Sequence, residues 1–484
     1  MTEKKHPINE DNEKETTSLH DITKELIEEL KQSSNEVFMT VPISPTDDST
    51  ENQDKNDIIN HIKSFNIRPK DIKTYLDRFV INQSNAKKAL AISICDHYNY
   101  IKETLTNTSP GHYTKQNILM IGPTGVGKTY LIKRIAELIG VPFVKSDATK
   151  FTETGYQGGD VEDLVRQLYK KANHHIELAE HGIIYLDEVD KITGTQSSHH
   201  KDISGRGVQS NLLKIMEDTD VTIRPNWDIQ AQIKQMMSTK KDAPPEKETI
   251  NTKNILFIMS GAFNHLDDII EKRLTGHKIG FDRIKKDPIN KDTSPIKNLR
   301  TKDLVTFGLE PEFAGRLPVR VQLNELSKTD LSHILVHSEE SILEQYILSF
   351  KRFNIELYVN DDALDEIADI AYQEQIGARA LSSTLENIFR EFKFELPSTN
   401  IGYIYATKEF IQHPKKILEN YLKSPKKQLT ADIMATISNE MKKSNMSVTD
   451  NEQHTLLKQC LDESNKGHIV ELIQNYMHNY VKTD

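Results

Sequence analysis

Eight residues, GPTGVGKT at 122–129, leave this chain few ways to fold. They follow the apolar run NILMIG at 117–122 and open an amphipathic run at 128–139, so the pattern GxxxxGK[ST] stands between a strand and a helix. Glycines at 122, 125 and 127 let backbone N–H groups turn inward around an anion, and the start of a helix favours negative charge at the same place. In that setting Lys128 reaches the β- and γ-phosphates of a nucleotide, and Thr129 offers a hydroxyl to Mg²⁺. Pro123, Thr124, Val126 and Tyr130 fill out the same cradle. A glycine-rich turn that holds no nucleotide is the bland alternative, and the strand before and the helix after oppose it.

The surrounding rhythm agrees with that cradle. Short apolar runs at 142–147 (PFVKSD), 182–187 (GIIYLD), 254–261 (NILFIMSG) and 318–323 (PVRVQL) read as strands, and helical patterns lie between them at 128–139, 160–180 and 206–218. Near-continuous apolar strands alternating with helices predict an α/β fold whose parallel sheet is covered on both faces. A helical pair is expected upstream, broken at VINQ, 80–83. Two polar, proline-bearing interruptions at 221–253 and 274–303 read as long surface loops. From 328 to 397 the strand signal fades and a small, mainly helical domain is expected.

The strand GIIYLDEVDK ends on two carboxylates, 59 residues after Lys128. Asp187 is placed to hold a metal through its water, and Glu188 to orient an attacking water, so the pair predicts hydrolysis as well as binding. A strand end capped by solvated acids is the plainer reading. Arg316, just before the last strand, and Arg379, opening a helix of the small domain, are candidates for stabilising the transferred phosphate, the first from a neighbouring subunit and the second in the same chain. An ordinary surface ion pair is the commoner fate of an arginine.

Composition narrows the classes. A net charge of −10 over 484 residues argues against a duplex nucleic-acid binder, which needs clustered cations to displace counterions. Two distant cysteines, Cys95 and Cys460, supply neither a disulfide framework nor a cysteine-rich zinc module, so no zinc is expected. No apolar stretch approaches the length of a membrane span, and a soluble, cytoplasmic protein is expected. Glycines around Tyr156, in TETGYQGGDVEDL, place an aromatic ring on a loop that would not bury it, which points to contact with something outside the fold.

Taken with YLDRFVINQSNAKKAL, SGRGVQSNLLKIME, ILFIMSGAF, LEPEFAGRLPVRVQLNEL and IGARALSS, in that order, these blocks resemble the AAA+ unfoldases of the Clp/Hsp100 group, most closely the ClpX type, from about Ile67 to Ser398. Some blocks also resemble HslU, but the short spacing from Tyr156 to Asp187 leaves no room for the domain HslU inserts there. The resemblance implies an AAA+ P-loop domain at 63–325 and a small helical domain at 326–400. It leaves a disordered acidic tail at 1–62 and a helical extension of unknown role at 401–484. It further implies a homohexamer that hydrolyses ATP with Mg²⁺ and pulls unfolded or tagged proteins through a central channel, with neither nucleic acid nor membrane as partner. Val80 and Ile81 would border the base, and Gly155, Tyr156, Gln157 and Gly158 would form the gripping loop. The tripeptide Ile279, Gly280 and Phe281 would dock a ClpP-like peptidase.

The chain departs from that pattern in three places. Asn82 stands where the family has glycine, and asparagine tolerates a positive φ. A four-cysteine zinc domain has no counterpart in this sequence. The basic pore-entrance triplet is missing, although Arg224, Lys234, Lys240 and Lys241 lie nearby, and His199 and His200 read as loop residues. An unfoldase feeding a peptidase, a stand-alone remodelling chaperone, a nucleic-acid motor and a binding module with a dead nucleotide site are the functions to separate. Acidic and polar neighbours of Tyr156 oppose the motor, and the intact Lys128, Asp187 and Glu188 oppose the dead module.

Overall fold

In the computed structural model the expected apolar runs become a five-stranded, wholly parallel sheet in the order β2-β3-β6-β1-β7. The strands are β1 (Ile118–Ile121), β2 (Phe143–Asp147), β3 (Ile183–Asp187), β6 (Leu256–Gly261) and β7 (Val319–Gln322). The structure describes residues 62–106, 113–152, 159–193, 203–223, 249–275, 295–339 and 341–443, together with residues 60, 456, 457 and 459. Every side chain of β1 and β6 is buried, as a central strand covered on both faces requires. Parallel pairing puts the C-terminal ends of β1, β3 and β6 side by side, and Ile121 pairs with Gly261 there.

Helices α1 (Pro69–Phe79) and α2 (Ser84–Leu105) lead into the sheet, and the turn between them is held from three sides. Asn82 and Gln83 both take left-handed backbone, with φ of 61° and 58°. Asn82 Oδ1 accepts from the Gln83 amide at 2.7 Å, which stabilises the conformation. The buried Gln83 amide donates to the Asn324 carbonyl at 2.8 Å and accepts from the Asn324 N–H at 2.9 Å, so it stands in for a strand partner. Lys87, buried on α2, donates to Asp77 at 2.7 Å and also to the Val80 carbonyl. An unpaired buried ammonium would be costly, so these bonds decide where the turn sits.

Helix α3 (Lys128–Ile139) follows β1, with Gly127 at its start and Gly140 closing it in left-handed backbone. The helical pattern expected over 160–180 divides into α4 (Asp163–Lys171) and a single turn, Ile176–Ala179, because Asn173 and His174 turn to positive φ between them. The pattern expected over 206–218 forms α5 (Ile203–Met216). Short strands β4 (Asp220–Thr222) and β5 (Thr249–Asn251) pair antiparallel at the base of the long interruption that starts near 221.

After β7 the chain turns helical, with α6 (Lys328–His337), α7 (Ile342–Lys351), α8 (Asp361–Gln373) and α9 (Arg379–Glu395). This region also holds a small parallel sheet that periodicity did not announce, β8 (Glu356–Val359) beside β9 (Tyr403–Ala406). Residues after 400 therefore complete a layer begun at 356. The helices Lys408–Gln412, Pro414–Lys423 and Pro425–Lys443 follow, the last two opening on prolines at HPKK and SPKK. Phe410 stacks on Phe392 at 4.5 Å between ring centres, and Ile417 and Tyr421 join the same core. Among the described residues no helix is long and apolar enough to cross a membrane.

Candidate active site

A cleft of about 620 Å³ opens where β1, β3 and β6 end and the helical region leans over them. It is lined by Val80 and Ile81 from the α1–α2 turn, by Thr124, Gly125, Val126, Gly127, Lys128, Thr129 and Tyr130, by Asp187 and Glu188, and by Arg379 from α9. Gly122 and Pro123 lie behind this lining. A Cβ on Gly122 would sit 2.7 Å from the Leu323 carbonyl oxygen, so the turn after β1 is pressed against the end of β7.

Within the cradle Lys128 Nζ donates to the carbonyls of Gly122 at 2.6 Å and Pro123 at 2.8 Å. Burial pulls the Lys128 ammonium below its ordinary pKa, while Asp187 and Asp190 act in the opposite direction. Such a cation is only partly compensated by its own chain and gains by meeting phosphate. No side chain caps the start of α3, which leaves the first-turn N–H groups of that helix for an anion.

Opposite Lys128, the end of β3 presents its two carboxylates differently. Asp187 Oδ2 is 3.3 Å from Thr129 Oγ1, and its Oδ1 accepts from Ser260 Oγ and from the Glu188 amide at 3.1 Å. Glu188 leaves the strand with φ of 57°, a left-handed conformation that a non-glycine residue holds only when its surroundings impose it. That turn sends the Glu188 side chain into the exposed part of the cleft while Asp187 stays tied to the sheet. A hard cation fits the oxygens of Thr129 and Asp187, and a water fits beside Glu188.

The helical region closes the cleft by backbone. Gly377, with φ of 64°, lets the chain run against the cradle, and the Ala378 amide donates to the Gly125 carbonyl at 2.9 Å. A Cβ on Gly125 would lie 2.0 Å from the Ile376 carbonyl oxygen. Arg379, the next residue, is thereby carried to the cleft. Arg316 is not: it lies before β7, its carbonyl accepts from Asn117 at the start of β1, and its guanidinium pairs with Glu217 at 2.6 Å. That is the opposite end of the sheet from Lys128.

Residues 113–320 match the AAA domain (Cdc48 subfamily), and residues 326–391 match the C-terminal, D2-small domain of ClpB protein. The ATP-dependent Clp protease ATP-binding subunit ClpX of Borrelia duttonii is 42% identical over 346 residues, covering 71% of this chain and 78% of that protein. The protein of that name in Borrelia recurrentis gives the same figures. In Treponema denticola it is 40% identical over 364 residues, covering 75% of this chain and 83% of its own length. This chain belongs to the ClpX family. As an AAA+ protein of the Clp/Hsp100 group it is an ATPase and binds nucleotide.

For this ClpX-family chain, several cleft residues escaped the sequence reading. Ser260 and Tyr185 stand behind Asp187, and Asn264 lines the cleft just beyond β6. Asp190, buried at the foot of the cleft, accepts from the Phe263 amide at 3.2 Å and so holds the turn after β6. Ser338, Ser341 and Ile342 come from the helical region. The available sequence signal was position alone: Ser260 stands near the end of an apolar run read as a strand, and Asn264 lies shortly after it. Residues Gly155, Tyr156, Gln157, Gly158, Ile279, Gly280 and Phe281 lie outside the described residues, as do His199, His200, Arg224, Lys234, Lys240 and Lys241.

Proposed function

We propose that this chain works as one subunit of a ring hexamer that hydrolyses ATP to unfold proteins and pass them to a ClpP-like peptidase. The reading is supported most by the placement of the two arginines. Arg379 reaches its own cleft, whereas Arg316 faces away from it at the far end of the sheet, so one chain alone leaves the phosphate site without that cation. A neighbouring copy that presents its Arg316 would complete the site, and activity would then depend on assembly.

In this scheme Lys128 and the N–H groups at the start of α3 bind the phosphates. Val80 and Ile81 border the base. Thr129 and Asp187 would hold Mg²⁺, which when bound would supply positive charge against that of the phosphates. Glu188 orients water toward the terminal phosphate, and Arg316 of the adjoining copy together with Arg379 offsets the charge that develops there. Because Ala378 is bonded to Gly125, a change at the phosphates is felt by the helical region as a rigid-body movement. Tyr156 then drags an extended chain along the channel. Repeated steps of a few kcal/mol exceed the roughly 5–15 kcal/mol that holds a typical domain together.

The relatives are ATP-dependent Clp protease ATP-binding subunits, which supports a peptidase partner, and Ile279, Gly280 and Phe281 would dock it. The test is ATP-dependent loss of fluorescence from a tagged, folded reporter, with and without a ClpP peptidase. Unfolding in both arms with degradation only in the second is expected. Tyr156→Ala should abolish unfolding, and Phe281→Ala should abolish degradation alone. Unfolding with no degradation under any condition points to a stand-alone remodelling chaperone, and ATPase activity stimulated by DNA but not by unfolded protein rejects the scheme.

A further inference from the structure

Behind the two residues assigned to the cation lies a ring of four close polar contacts served by three hydroxyl hydrogens. Thr129 Oγ1 is 3.2 Å from Tyr185 Oη, Tyr185 Oη is 2.6 Å from Ser260 Oγ, and Ser260 Oγ bonds Asp187 Oδ1. Asp187 Oδ2 returns to Thr129 Oγ1 at 3.3 Å. Tyr185 and Ser260 are both wholly buried, on β3 and β6, and water does not compete for their hydrogens.

Counting protons settles the direction of the ring. The Asp187 carboxylate can only accept, so the single Ser260 hydrogen goes to Oδ1. Ser260 Oγ must then accept from Tyr185, whose only hydrogen is thereby used. Tyr185 Oη is left as an acceptor, and it faces Thr129. Thr129 then has two acceptors, Tyr185 Oη and Asp187 Oδ2, so its hydrogen need not enter the open cleft, and when it goes to Tyr185 the Asp187 Oδ2 lone pairs stay free. The Glu188 amide, on the same Oδ1, adds to the bias.

We propose that Tyr185 and Ser260 are positioning residues that orient the Thr129 hydroxyl and the Asp187 carboxylate so that their free oxygen lone pairs converge on one hard divalent cation. They touch neither the cation nor the nucleotide; they act by deciding where three hydrogens point. This inference rests on the nucleotide role proposed above for the cleft. A purely structural role, satisfying two buried hydroxyls, would stabilise the fold without tuning cation affinity.

The two roles separate in a binding experiment on the full-length protein. A fluorescent ATP analogue is titrated with EDTA present, and Mg²⁺ is then titrated at fixed analogue. Ser260→Ala should leave Mg²⁺-free binding within twofold of wild type and raise the Mg²⁺ midpoint about tenfold, the scale of one lost hydrogen bond to a charged group. Tyr185→Phe keeps the Ser260 bond and should raise the midpoint about threefold. The double variant should raise the midpoint further than Ser260→Ala alone, because Tyr185 also holds the Thr129 hydroxyl directly. A Mg²⁺ midpoint within twofold of wild type in a folded Ser260→Ala protein, or in Tyr185→Phe should the alanine variant not fold, overturns the proposal. Failure of the wild-type protein to bind the analogue at all rejects the nucleotide role itself, which is a different outcome.

Discussion

Replacing Gly377 by alanine should uncouple the helical region from the phosphate cradle while leaving the cradle intact. Gly377 holds φ of 64°, and left-handed backbone costs an ordinary residue roughly 1–2 kcal/mol. An added Cβ would also lie 2.8 Å from the Gly125 carbonyl and 2.9 Å from the Thr124 oxygen, both backbone atoms that cannot swing aside. Relief requires the 376–379 segment to lift, which breaks the Ala378 to Gly125 bond and withdraws Arg379. At 1.4 kcal/mol per tenfold, the backbone strain alone shifts the docked population by about 5- to 30-fold. The prediction is a kcat for ATP hydrolysis lowered by a similar factor, with the affinity that Lys128 provides changed less. Gly140→Ala is the control. Gly140 is exposed, with φ of 76° at the far end of α3 from the Gly125–Ala378 bond, so it carries comparable strain away from that bond. Both variants should melt a few degrees early, but only Gly377→Ala should lose turnover. Equal kcat in the two variants would refute the coupling.

Other consequences follow from the same geometry. Arg316→Ala and Glu188→Gln proteins should each hydrolyse ATP at least about a thousandfold more slowly, yet mixed rings should regain part of the activity, because a Glu188→Gln copy still lends Arg316 to the intact site of its neighbour; co-assembled mixtures with no recovery reject a finger acting between subunits. Asp432 is buried beside Tyr421 and Gln428, and burial first, then Glu409, raises its carboxyl to about 7. An acid whose pKa is raised on folding stabilises fully below its ordinary value near 3.8, and that contribution is lost as pH rises through about 7. Hydrogen exchange across 403–443 should therefore speed up between pH 5 and 8 beyond its intrinsic rate, and Asp432→Asn should flatten the trend. Phe410→Ala removes a ring that packs on Phe392 and Phe389; it should cost about 3–5 kcal/mol, and a melting temperature unchanged within a degree would show that residues after 400 do not belong to that core.

The parts of this fold that sequence made legible are those whose signal is local. A strand such as ILMI is buried on both faces, so its whole length is apolar and stands out. Asn82 could be foreseen in left-handed backbone because its side chain closes on its own neighbour. Gln83, in the same conformation one residue later, could not, because what holds it there is Asn324, 241 residues away. The same reasoning covers β4, β5, β8 and β9. With three or four residues each, they are stable only through partners that sequence periodicity does not name. The helix expected over 160–180 failed at Asn173 and His174, a pair that prefers turns but gives no fixed place to break.

The active site divides along the same line. Lys128, Thr129, Asp187 and Glu188 were legible because a phosphate cradle and an acidic strand end each need their residues within a few positions of one another. Ser260 and Tyr185 were not, although they sit on strands whose existence was clear, because strand existence does not include strand order. Only the order β3-β6-β1 brings Ser260 between Asp187 and the cradle. In this chain the groups proposed to meet nucleotide are encoded by spacing, and the groups proposed to aim them are encoded by topology. A substitution at Ser260 would thus look remote from every motif in the sequence and still act one hydrogen bond away from the carboxylate that the proposed mechanism depends on.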